Sequence, residues 1–277
     1  MNGKKFLYTN PLAYSDDLPF KQRWSKDRVD YISLSNCCPP NVVRTIAEVN
    51  NYAYSISDKG VWFNLYGGSK LATKLKDGSE VKLTQETNYP WDGNIKVKVD
   101  QVPKKKAFSF FMRIPSWSKD AKILLNGKPY DAKIAPGEYV EVSNKWAKGD
   151  QVELILPMEA KLLESNPLVE ETRNQVAVKR GPVVYCVESV DFSKDKSVFN
   201  LTLPADIQFQ PKLIQIANSD VMSLEGKAKL FSNGNWKNQL YREVAKDDQS
   251  VQIRLIPYYA WGNRGHSEMS VWMPLSR

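Results

Sequence analysis

The chain changes its hydrophobic period near residue 60. Before that point Val42, Ile46, Val49 and Ala53 fall at i, i+4, i+7 and i+11, which is one face of an α-helix. Cys37-Cys38-Pro39-Pro40-Asn41 stands just ahead of it. Proline suits a first helical turn, because its missing N–H had no partner there anyway. The helix ends near Tyr54, and Ser57-Asp58-Lys59-Gly60 reads as a turn. Residues 4–12 read as a short strand entering a turn at Asn10-Pro11, and residues 13–36 show no clear period. The result is one helix with no partner helices in the chain to pack against.

From Gly60 onward the pattern is β. Strand-like stretches are expected at 61–66, 80–87, 95–99, 108–114, 121–125, 139–142 and 152–156. Asp77-Gly78, Asp92-Gly93, Asn126-Gly127, Pro136-Gly137 and Gly149-Asp150 supply the turn chemistry between them. A second series follows at 162–164, 176–179, 183–188, 198–203, 207–209, 222–224, 228–230, 239–244, 251–257 and 269–273. Short strands with turn signals at this spacing read as sandwiches. The expected architecture is therefore mainly β: two β-sandwich domains in series at 58–160 and 161–277, behind a helical leftover at 1–57. No repeat of fixed period argues for a solenoid or propeller.

Composition narrows the function classes. At 277 residues, 42% hydrophobic and 25% charged, the chain can bury a real core and is not of disordered type. No apolar run approaches the ~18–20 residues that cross a bilayer. The first ten residues lack the apolar region of a secretory signal, and the compartment stays open between periplasm and cytoplasm. The net charge of +8 comes mostly from scattered lysines. Lys104-Lys105-Lys106 is the densest run and reads as a loop, without the aromatic interleaving of a nucleic-acid face. Neither nucleic acid nor a membrane is expected as a partner.

Three cysteines exclude a disulfide-dense scaffold. Cys186 lies in an alternating strand and reads as a small core residue. The adjacent Cys37 and Cys38 are different. They read as two small buried residues at a helix start, as a vicinal disulfide, which demands a strained eight-membered ring and is rare, or as a thiolate site, since a helix N-terminus favours the thiolate. Two thiolates cannot saturate a zinc ion that takes about four ligands. The one histidine, His266, is far off in sequence and reads as a solvated loop residue. Glu188 and Glu268 are candidate acids by type only.

Several motifs are more specific together than apart. Phe6-Leu7-Tyr8-Thr9-Asn10-Pro11-Leu12 is followed by the cysteine pair and its helix. Tyr89-Pro90-Trp91-Asp92-Gly93, Met112-Arg113-Ile114-Pro115-Ser116-Trp117 and Trp146-Ala147-Lys148-Gly149-Asp150 come next. Then come Leu156-Pro157-Met158, Lys179-Arg180-Gly181-Pro182-Val183-Val184-Tyr185-Cys186 and Pro257-Tyr258-Tyr259-Ala260-Trp261-Gly262-Asn263-Arg264-Gly265. In this order, and over essentially the whole chain, the sequence resembles glycoside hydrolase family 127, the β-L-arabinofuranosidase family. The resemblance is to the C-terminal portion of family members, which are built as an (α/α)6 catalytic barrel followed by β-sandwich domains.

The resemblance implies that the helix is a remnant of that barrel. It implies Cys37 as catalytic nucleophile and zinc ligand and Cys38 as a second zinc thiolate; Tyr8, in the matching stretch, reads as a contact to the sugar or as a core tyrosine. The reaction it implies is retaining hydrolysis of β-L-arabinofuranosides from plant cell-wall glycans, with zinc as the cofactor of an intact member. The acid/base glutamate, the remaining zinc ligands and the sugar-binding histidines of the family lie upstream of the matching segment. The chain alone is therefore expected to be inactive, with carbohydrate as substrate and an N-terminal barrel polypeptide or a second copy of the chain as partner. The competing reading is a structural or glycan-binding β-sandwich module without hydrolytic activity.

Overall fold

The computed structural model describes residues 4–17, 27–30, 37–103, 106–193, 196–231, 239–243 and 248–277. It forms two compact units, one of residues 36–159 and one of residues 1–35 with 160–277. The sequence reading set 1–57 apart; contacts divide that stretch between the two units instead.

Along the chain, β1 (Lys5–Phe6), β2 (Ala13–Tyr14) and β3 (Val29–Asp30) precede the helices α1 (Cys38–Glu48) and α2 (Asn50–Ala53). The helical stretch thus starts earlier than the hydrophobic period does, and it breaks at Val49. Strands of the 36–159 unit are β4 (Tyr54–Ser57), β5 (Gly60–Phe63), β6 (Ser69–Lys74), β7 (Glu80–Thr87), β8 (Asn94–Gln101), β9 (Lys106–Arg113), β10 (Lys122–Leu125), β11 (Lys128–Pro129), β12 (Tyr139–Trp146) and β13 (Gln151–Ile155). Lys106 opens β9, and Lys104 and Lys105 of the basic run lie outside the described residues.

These strands make a sandwich. One sheet has the order β11-β10-β13-β8-β7-β6, the other β12-β9-β5-β4. Alternation decides which side chains face inward. In β7 and β8, Val81, Leu83, Ile95, Val97 and Val99 point into the core while lysines and glutamates point out. From the other sheet come Val61, Phe63, Phe110, Met112, Val142 and Trp146. Trp146 stacks on Phe110 at 4.1 Å and donates its indole N–H to the Phe108 carbonyl at 2.7 Å, so its one polar atom is satisfied inside the core. Gly60 is required by its neighbour: φ is +146°, and an added Cβ would sit 2.0 Å from the Ser109 carbonyl oxygen.

The other unit continues with β14 (Ala160–Glu164), β15 (Gln175–Arg180), β16 (Val183–Glu188), β17 (Leu201–Pro204), β18 (Gln210–Ile216), β19 (Ser219–Phe231), β20 (Asp248–Pro257), β21 (Met269–Ser270) and β22 (Trp272–Ser276). The expectation of a second sandwich is modified here. Pairing runs without interruption from β15 through β22, β17, β19, β20 and β16, and it returns to β15 through the β15–β16 hairpin. One ring of strands encloses one core, lined by Val178, Tyr185, Val187, Leu203, Leu224 and Leu255 among others. The stretches read as separate strands at 222–224 and 228–230 are one strand, β19. Gly226 sits in its middle because the chain at 207–209 crosses closely: a Cβ there would lie 3.1 Å from Phe209 and 3.2 Å from the Gln208 carbonyl. Residues 207–209 are accordingly not a strand, nor are 239–243; residue 244 of that expected strand lies outside the described residues.

The first residues of the chain belong to this unit through backbone pairing. β2 pairs with β21, the Val271 N–H donates to the Leu12 carbonyl at 2.8 Å, and the Tyr258 hydroxyl donates to the Pro11 carbonyl at 2.8 Å. Arg28 donates from Nε to the Trp261 carbonyl at 2.9 Å and from Nη2 to the Tyr259 carbonyl at 2.8 Å. The Asn-Pro-Leu motif near the start and the Pro-Tyr-Tyr-Ala-Trp motif near the end therefore meet.

Removing the Trp146 ring opens a cavity in a fully buried site. Trp146→Ala is expected to cost about 3–5 kcal/mol, read from chemical denaturation of the 36–159 unit.

Candidate active site at the cysteine pair

Helix α1 presents the cysteines at its first turn. Cys37 is the N-cap residue and Cys38 the first helical residue. Pro39 and Pro40 follow, and neither has an N–H, so the turn that ordinarily offers several unpaired donors offers few. The expectation of a donor-rich helix start is weakened to that extent. Asn41 closes the turn: its backbone N–H reaches the Cys37 carbonyl at 3.2 Å and its side-chain amide reaches the same oxygen at 3.0 Å. Arg44 donates to Asn41 Oδ1 at 2.6 Å, and Thr45 Oγ1 to the Asn41 carbonyl at 2.8 Å.

Both cysteine side chains are exposed, and their sulfurs lie 3.3 Å apart, well beyond a disulfide bond. The reading of the pair as small buried residues does not hold. A tetrahedral zinc bonded to both at ~2.3 Å would hold them roughly 3.8 Å apart, close to the observed spacing. However, no group of three or more His, Cys, Asp or Glu side chains able to hold a metal occurs among the described residues. Two sulfurs are half a zinc site, so the described residues do not make one.

The same helix exposes its apolar face. Val42, Val43, Ile46 and Val49 are all exposed, as is Tyr52 of α2, and only Pro39 of α1 is buried. This is the face that the period of the sequence marked out as lacking partner helices.

The other sequence candidates fall elsewhere. Tyr8 is half-buried in a bend after β1, in the unit of residues 1–35 and 160–277, whereas the cysteine pair belongs to the other unit. Cys186 is fully buried, and burial pushes its thiol pKa well up, as suits a core residue.

Glu188 is also fully buried, but in an ion cluster. Arg264 donates to Glu188 Oε2 from Nη2 at 2.6 Å and from Nε at 2.9 Å, and it reaches Asp191 at 2.7 Å. The Gly262 N–H and the Ser267 hydroxyl complete the shell of Glu188. Glu268 accepts from Ser15 and Ser197 at 3.0 and 2.9 Å. Both glutamates hold chain segments together.

His266 departs most from expectation. It is not simply a solvated loop residue: Nδ1 lies 2.7 Å from Asp27 Oδ1 and Nε2 lies 2.7 Å from Asp16 Oδ1. Asn263-Arg264-Gly265-His266 was the only local signal for either cluster; their acidic partners come from distant parts of the chain.

The sequence model of the beta-L-arabinofuranosidase GH127 middle domain matches residues 60–158, and that of the glycoside hydrolase family 127 C-terminal domain matches residues 160–274. The chain belongs to glycoside hydrolase family 127. It is 30% identical to the non-reducing end beta-L-arabinofuranosidase of Bifidobacterium longum subsp. longum, over 98% of this chain and 42% of that protein. Among solved structures, a GH127 beta-L-arabinofuranosidase from Geobacillus stearothermophilus T6 superposes with a TM-score of 0.89 at 35% identity, covering 99% of this chain and 43% of that one. A glycoside hydrolase superposes at 0.94 with 51% identity, covering 99% and 45%. The chain thus spans less than half the length of these GH127 relatives.

Two predictions follow from the charged clusters of this GH127 chain. Arg264→Met strands the fully buried Glu188 carboxylate without its partner and is expected to cost about 3–5 kcal/mol in denaturant unfolding. For His266, hydrogen bonding to Asp27, then to Asp16, raises the pKa above the ordinary 6.5. A raised folded pKa means that the stabilisation is full below about pH 6.5 and is lost as pH rises through the folded value. The single histidine resonance in NMR reads that pKa directly; Asp27→Asn is expected to lower it, and a value at or below 6.5 in the unmodified chain contradicts the clasp.

Proposed function

We propose that this chain is the C-terminal portion of a retaining glycoside hydrolase acting on β-L-arabinofuranosides, with Cys37 as its nucleophile. The observation that carries this reading is the exposed pair of sulfurs at the start of α1, within a chain of family 127. A thiolate at Cys37 attacks the anomeric carbon, and the bond from that carbon to the leaving oxygen breaks as a general acid protonates it. The thioglycosyl intermediate is then cleaved by water, which the same group, now a base, deprotonates. Cys37 leaves as thiolate and the configuration is retained.

The acid is assigned to a part of the enzyme outside these residues. Glu188 and Glu268 are engaged in holding their own unit together. Without a general acid the rate falls by roughly two to four orders of magnitude. The relatives named above are more than twice as long as the match, and α1 exposes Val42, Val43 and Ile46 side by side. On that basis we assign α1 to the helical barrel of the intact enzyme, its apolar face covered by an N-terminal barrel polypeptide. Zinc, which the resemblance attaches to the cysteine pair, needs about two further ligands from that same part. Tyr8 is assigned as a sugar contact.

The test is turnover of a β-L-arabinofuranoside. The chain alone is expected to show none, and a complex with the missing barrel polypeptide is expected to be active. Cys37→Ala in that complex is expected to lower kcat by at least ~1000-fold, while the retained anomer is detected by NMR in the active form. Robust hydrolysis by the isolated chain, or hydrolysis in the complex that survives Cys37→Ala, overturns the assignment. Glycan binding by the chain without any turnover in the complex favours the binding-module reading.

A further inference from the structure

We propose that Cys37 and Cys38 also form a redox modification site, at which hydrogen peroxide closes the two thiols to a vicinal disulfide and reverses only on reduction. The consequence for activity rests on the reading of Cys37 as nucleophile; the modification itself does not.

Three observations carry the proposal. Both side chains are exposed, so a small oxidant reaches them. Their sulfurs are 3.3 Å apart, only a little over an ångström from bonding distance, and contact each other directly. The backbone there is also the end of α1, where the helical ladder begins. Cys37 is the N-cap residue, Cys38 is the first helical residue, and Pro39 and Pro40 carry no N–H. The first helix-closing bond from a backbone donor is that of Asn41 to the Cys37 carbonyl. Turning the peptide between Cys37 and Cys38 to close the ring moves the Cys37 carbonyl and so gives up the two bonds that Asn41 makes to it, at the very start of the helical ladder.

The chemistry balances. One sulfur attacks a peroxide oxygen; the O–O bond breaks, giving a sulfenic acid and one water. The neighbouring thiol attacks the sulfenic sulfur, the S–S bond forms, the S–O bond breaks, and the second water leaves with the thiol proton. Two thiols and one hydrogen peroxide give one disulfide and two waters, and two electrons pass from sulfur to peroxide. An isolated sulfenic acid waits for a second peroxide and climbs irreversibly to the sulfinic acid. Here the second thiol is already in contact, so ring closure is intramolecular and outpaces that step. Fully buried Cys186, its thiol pKa pushed up by burial, is the internal control.

The test treats the chelator-stripped 277-residue chain with one equivalent of hydrogen peroxide and reads peptide masses. The peptide carrying Cys37 and Cys38 is expected to lose two hydrogens and to regain them with dithiothreitol, while Cys186 stays unmodified. Cys38→Ser and, independently, Cys38→Ala are expected to gain oxygen at Cys37 instead. Oxygen gain at the pair in the unmodified chain without hydrogen loss, bonding between chains only, or no reaction at equivalent peroxide overturns the proposal. Turnover is not the readout, so a failed hydrolase assignment leaves this result standing. Conversely, an intact enzyme that keeps its activity with the disulfide closed refutes the nucleophile and not the modification.

Discussion

The stacked pair of Phe110 and Trp146, lying between two sheets, is the contact on which the 36–159 unit is organised. Each ring comes from a different strand of the smaller sheet, and the pair is roofed by the valines and leucines of the larger one. Because side chains alternate across a strand, fixing these two inward fixes everything else on β9 and β12. Val140 and Val142 must face the core with Trp146, and Tyr139 and Glu141 must face away. The outward row is used as well: Ser109 bonds Glu141 and Ser143 at 2.6 and 2.7 Å, and Trp62 stacks on Phe111 at 3.9 Å. The sheet is thus held from both faces. The helix that carries the cysteines joins this framework at its C-terminal end, by way of α2 and β4.

The second unit is held differently. Its ring of strands has a hydrophobic core, but its connecting loops are secured by buried charge. Arg264 bonds two acidic side chains, one of them wholly buried, and a buried ion pair is costly unless its geometry satisfies the remaining lone pairs. Here the Gly262 N–H and Ser267 hydroxyl do so. Arg28, Tyr258 and His266 extend the same device to the start of the chain. A segment with little hydrophobic period of its own is fixed by directional bonds to a rigid neighbour. This explains why two motifs some 250 residues apart in sequence are parts of one local structure.

What the sequence made legible follows from this contrast. Strands with an apolar inward row, such as 80–87 and 95–99, were readable residue by residue, because alternation is a local signal. β6, with its lysines and threonine, and β18 were not, since each is held by pairing to a neighbour rather than by an apolar stripe. Gly226 looked like a break and instead makes room for a crossing segment, which no local window can reveal. At the site, the cysteine pair and the unpartnered face of the helix were legible from residue type and spacing. The roles of Glu188 and His266 were not, because their partners are set by tertiary structure.

An isolated helix of eleven residues is marginal in water even with favourable residues. α1 is of that length, carries prolines at its second and third residues, contains four β-branched residues at Val42, Val43, Thr45 and Ile46, and buries only Pro39. Its stability must come from packing of its apolar face. The sulfurs sit on its first turn, so whatever covers Val42, Val43 and Ile46 also fixes where the sulfurs point. Order at the cysteine pair and occupancy of the apolar face are therefore linked: a partner that binds the ordered helix stabilises it by an amount that grows with the logarithm of its affinity. Under the assignment proposed above, the chemistry of the pair and the completion of the helical layer would be two consequences of one packing event.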